Sequence, residues 1–86
     1  MQIKKEFVRR DVAGETILVP FGKTIYDANG LFVLSELGAF LWDRIPDAEN
    51  EETLVRAVLE EYEVDEATAR ADIAEFLGKL REMGIL

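Results

Sequence analysis

The reactive inventory of this 86-residue chain is 18 Asp and Glu with 10 Lys and Arg, and no His or Cys. That removes the commonest general base, the thiolate nucleophile and nearly all transition-metal ligand sets, which leaves carboxylates as the candidate acid–base groups. Pairs such as Glu60-Glu61 fall on helix exteriors or caps, where a solvated face is the ordinary role of a carboxylate. Gly22-Lys23-Thr24 echoes the end of a phosphate-binding loop, but that loop needs another Gly five residues before the Gly-Lys step, and the position is Ile17. The chain is expected not to be an enzyme and to use neither metal nor cofactor.

The organising stretch is Gly30 to Trp42, where the apolar period changes midway. Leu31-Phe32-Val33-Leu34 is a short continuous run, and Leu37, Phe40, Leu41 and Ile45 then fall on one helical stripe. This reads as a strand running into a helix, with Ser35 at the junction as N-cap. Four consecutive apolar residues want cover on both faces of the strand. One face can lie on the helices; the other face and the open edge need more protein or a partner.

Upstream, Phe7 to Arg10 and Glu15 to Pro20 flank the turn pair Ala13-Gly14 and predict a hairpin, ended at Pro20 because proline donates nothing to a ladder. Residues 24–28 admit two readings: a strand leading to the Asn29-Gly30 hairpin signal, or a loop with some extended structure near Ile25 and Tyr26. Downstream, the first helix spans Ser35 to Ile45 and stops at Pro46. Asn50 caps a second, whose buried stripe is Leu54, Val55, Val58, Leu59 and Tyr62. Asp65 caps a third, from about Glu66 to Met83, with the stripe Ile73, Phe76, Leu77 and Leu80, and Ile85-Leu86 folds back onto the core. Two or three strands followed by three helices predict one α+β domain over residues 1–86, with helices packed on one side of a small antiparallel sheet.

The formal net charge is −8, unevenly spread: residues 1–26 carry +2 and the remaining sixty carry −10. An acidic helical half repels phosphate, so neither nucleic acid nor an anionic membrane is expected as partner; a basic or neutral protein suits it better. The first residues lack an apolar signal region and no run approaches a membrane span. A soluble, cytoplasmic protein is expected.

Taken together, Phe7-Val8-Arg9-Arg10, Ala13-Gly14-Glu15, Leu18-Val19-Pro20, Asn29 through Trp42, Leu59 through Asp65, Ala71-Asp72, Phe76-Leu77, Leu80 and Gly84-Ile85-Leu86 resemble the PqqD family of peptide chaperones. That family is the prototype of the recognition elements that capture leader peptides in ribosomal peptide natural-product biosynthesis. One departure is Ser35, where the family usually has Asn; either residue can cap. The resemblance implies a winged-helix-like fold of three antiparallel strands and three helices, without catalysis of its own. It also implies that a precursor's leader peptide adds as a strand beside the third strand, in the groove next to the third helix, for a radical SAM or other peptide-modifying enzyme. The free edge and apolar run are an independent reason for that mode. The expected site is Leu31, Phe32, Val33 and Leu34 on the strand, with Ala69, Asp72, Ile73, Phe76 and Lys79 on the third helix; Ile73 and Phe76 could equally be core.

Two other functions compete. A winged-helix fold often binds DNA, but residues 60–82 carry a net charge of −5, the wrong sign for facing phosphates. A scaffold that dimerises through the same strand edge uses the same residues as peptide capture, and the sequence does not separate the two.

Overall fold

The sheet begins at a two-residue turn in which Ala13 and Gly14 both have positive φ, 51° and 83°, the conformation whose twist matches a tight hairpin. In this computed structural model, which describes residues 1–27 and 30–86, the turn joins β1 (Phe7–Val12) to β2 (Glu15–Pro20). β3 (Phe32–Leu34) then pairs antiparallel with the far side of β2, giving the order β1-β2-β3. Alternation along the strands puts Phe7, Leu18, Phe32 and Leu34 on the helix side and leaves Val8 and Val33 facing out.

Residues 24–27 differ from both sequence readings: Thr24–Asp27 is one helical turn, neither strand nor extended loop. Thr24 N–H donates to the Phe21 carbonyl at 3.2 Å, and the buried Thr24 hydroxyl accepts from Glu6 N–H at 2.7 Å. A partner so far back in the chain outweighs the weak local preference for extended structure. Ala28, the last residue of the expected strand, and Asn29, half of the expected hairpin signal, lie outside the described residues.

Three helices follow: α1 (Glu36–Arg44), α2 (Glu51–Glu61) and α3 (Glu66–Glu82). Each is started by the side chain expected of it. Ser35 accepts from Gly38 N–H, Asn50 from Thr53 N–H and Asp65 from Thr68 N–H, satisfying donors that the first helical turn leaves free. α1 passes at Ile45 into a 3₁₀ turn, Ile45–Asp47, that carries Pro46 at its start. Past α3 the chain reverses, Ile85 N–H donates to Leu80 O at 2.8 Å, and Ile85 is buried.

The core is the helix-facing side of the sheet closed by all three helices. Leu41, Ile45, Leu54, Ile73, Leu77 and Leu80 are essentially solvent-free, each contributing about 1.5–3 kcal/mol relative to exposure. Trp42 is buried as well, edge-on to Phe7 at 6.3 Å, and Phe7 tilts against Phe32 at 5.6 Å. This aromatic cluster fixes β3, only three residues long, to the hairpin and to α1. Among the described residues no helix is long and apolar enough to cross a membrane.

Candidate functional site

The turn at Ala13-Gly14 sets the hydrogen-bond phase of the whole sheet. Residues flanking a two-residue hairpin turn exchange both bonds, and bonded and non-bonded pairs then alternate. Val12 with Glu15, Arg10 with Ile17 and Val8 with Val19 are therefore the bonded pairs, while Phe7 with Pro20 is not. Pro20, lacking an N–H, costs this ladder nothing, and Phe21 N–H donating to Glu6 O at 3.0 Å continues the same alternation. It follows that Thr16 and Leu18 turn their peptide groups toward β3, where Leu34 and Phe32 meet them. Val33, opposite Ile17, turns its own N–H and C=O outward, and no strand among the described residues lies there.

Beside that edge lies a groove. A hollow of about 310 Å³ separates β3 from α3; its floor is Leu18, Phe32 and Leu34, and its wall is Phe76, Leu80 and Met83, with Lys79 at the rim. A second hollow of about 310 Å³ continues it along α3, sharing Ser35, Phe76 and Lys79 and extending to Gly38 and Asp72. An unpaired strand with apolar space next to it can hold an extended polypeptide by its main chain and sort it by side chains.

Leu31 precedes the strand instead of belonging to it and is 58% exposed, while Val33 is 65% exposed on the outer face. Phe32 and Leu34 point into the hollow, and Phe76, Asp72 and Lys79 line the groove. Ala69 and Ile73, 1% and 0% exposed, line neither of these two hollows because the rotation of α3 turns them inward, which for Ile73 is the core role the sequence left open. Sequence reasoning missed Leu18, Gly38 and Met83 as lining, and read Leu80 only as core. Met83 was signalled by continuing the helical spacing from Phe76 through Leu80; Leu18 and Gly38 become lining only once the sheet and α1 are assembled.

The charges nearby hold helices more than ligands. Arg70 donates to both carboxylate oxygens of Glu52 at 2.7 and 2.8 Å and to Glu66 at 2.9 Å, tying α3 to α2. The hydrogen bond from Arg70 holds the Glu52 carboxyl below its ordinary range, and the backbone hydrogen bond from Thr68 does the same for Asp65. Lys79 meets Glu75 at 3.3 Å with both side chains exposed, a contact worth little in water. A larger hollow of about 500 Å³ lies between the hairpin end and α1, but its cations are engaged: Arg9 pairs with Asp43, and the Arg44 guanidinium lies 3.5 Å over the Phe40 ring.

The model of the family described as "Coenzyme PQQ synthesis protein D (PqqD)" matches residues 15–86. TbiB1, in complex with the TbiA(beta) leader peptide, superposes with a TM-score of 0.76 at 27% identity, over 100% of this chain and 94% of that one. A lasso peptide synthetase B1 complexed with the leader peptide has a TM-score of 0.74 at 21% identity, over 98% and 93%, a likeness of fold alone. No curated protein matches the chain.

Proposed function

The chain belongs to the PqqD family, and from that membership and the groove beside β3 we propose that it is a non-catalytic peptide chaperone. It captures the leader segment of a ribosomally made precursor by strand addition to β3 and presents that peptide to a modifying enzyme of the radical SAM type. The observation that carries this reading is the outward N–H and C=O of Val33 next to an apolar hollow of about 310 Å³. Main-chain bonds supply affinity there, and the hollow supplies selectivity. TbiB1, similar over its length and solved with a leader peptide, supports it. Contacts are assigned to Leu31, Phe32, Val33, Leu34, Asp72, Phe76 and Lys79, with Ala69 and Ile73 backing α3 from the core.

Val33→Pro tests the assignment. Because the lost N–H faces away from β2, the substitution removes the edge donor without breaking a bond of the existing ladder. Calorimetry of the folded variant with a leader peptide that the parent binds is expected to show no binding; retained affinity overturns the placement.

The same free edge fits a second copy of the chain. Sedimentation of free and peptide-loaded protein distinguishes the two occupants: a dimer that peptide dissolves uses the capture edge, and a dimer indifferent to peptide does not.

A further inference from the structure

The groove does not end with β3. Leu37 and Asp72, at the far end of the second hollow, also line a third of about 240 Å³, enclosed by the start of α1, the end of α2 and the start of α3. Val58 and Ala69 form its buried floor, with Leu37, Tyr62 and Val64 around them. Three carboxylates, Glu36, Glu63 and Asp72, stand at its mouth, and no Lys or Arg lines it. Among the described residues none of the three takes part in an ion pair. An apolar hollow ringed by free negative charge is complementary to an apolar side chain with cations next to it.

We infer that the peptide held at β3 runs on along α3 and seats a second apolar side chain in this third hollow, flanked by Lys or Arg. The inference rests on the strand-addition reading and adds the chemistry of the cargo to it. The spacing follows from the helix. From Leu80 and Met83 at the first hollow to Ala69 and Asp72 at the third is eleven residues of α3, or about 16 Å. An extended peptide covers that distance in about five residues. The cargo therefore carries two apolar anchors about five positions apart, the one farther from β3 beside a basic residue.

The test is selection of phage-displayed random 12-residue peptides on the full chain, on Val33→Pro and on the double variant Glu63→Lys/Asp72→Lys, all confirmed folded by circular dichroism. The parent is expected to enrich the two-anchor pattern with Lys or Arg at the second anchor, and Val33→Pro to enrich nothing. The double variant is expected to lose or invert the charge preference. Its affinity for a peptide enriched on the parent falls about three- to tenfold, a loss that shrinks at high salt. Peptides that depend on Val33 but show one anchor and no charge preference overturn this inference while leaving strand addition intact. Failure of the parent to enrich any Val33-dependent peptide overturns both.

Discussion

A Cβ on Gly38 of α1 would lie 3.2 Å from Cε1 of Phe76 on α3 and 3.3 Å from the Ser35 hydroxyl. The two helices close on each other here because position 38 has no side chain, and Phe76 is the wall that the first two hollows share. Gly38→Ala gains up to about 1 kcal/mol of helix propensity, yet it pushes the Phe76 ring toward the groove. Thermal melts are expected to stay near the parent's while calorimetric affinity for a bound leader peptide falls severalfold. Unchanged affinity would show that the ring moves aside without narrowing the groove.

Removing the ring separates wall from core. Phe76 is half-buried, so Phe76→Ala is expected to cost about 2 kcal/mol of stability, less than a fully buried Phe. Peptide binding is expected to fall more than Phe76→Leu makes it fall, because leucine still closes part of the wall. Denaturant titration and calorimetry on the two variants check this; equal affinities would remove Phe76 from the site.

Acid is expected to loosen α3. Asp65 and Glu52 are held below their ordinary values of 3.8 and 4.5, so both bind protons more readily when unfolded. Their stabilisation is present above those unfolded values and is lost as the pH falls through the lower folded ones. The melting temperature should therefore drop below about pH 4.5. Asp65→Asn keeps the cap but not the titration, and its melting temperature should fall less between pH 5 and pH 3. An identical fall would exclude Asp65 as a source.

Double-stranded DNA is expected not to bind. With a net charge of −5 over residues 60–82, a gel shift at low salt should show free duplex throughout. A salt-dependent shift would reopen the nucleic-acid reading.

Local signals in the sequence carried most of the fold. Ala13-Gly14 placed the hairpin, and Ser35, Asn50 and Asp65 placed three helix starts, because each of these acts on residues within three or four of itself. The turn at Thr24 was not legible, since the Glu6 N–H that bonds its hydroxyl is 18 residues away. Much of the groove lining was readable in the same way, but Leu18, Gly38, Leu80 and Met83 were not. The strand and Phe76 follow from hydrophobic spacing, but which side of α3 faces the groove depends on how that helix is rotated against its neighbours. The family resemblance put Ala69 and Ile73 beside the peptide, while the helical period already allowed Ile73 to be core; packing buries both, away from the two hollows next to β3.

Only one residue of β3, Val33, offers its peptide group to an incoming strand. Almost any amino acid can answer that offer, since every residue but proline supplies the same N–H and C=O. Under the proposed strand addition, cargo identity is then encoded in the side-chain hollows along α3, and drift in their lining would redirect the protein to a new precursor while its fastening stayed the same. Retargeting by design can follow that division, rewriting Phe76, Asp72 or Lys79 and leaving the backbone clasp alone.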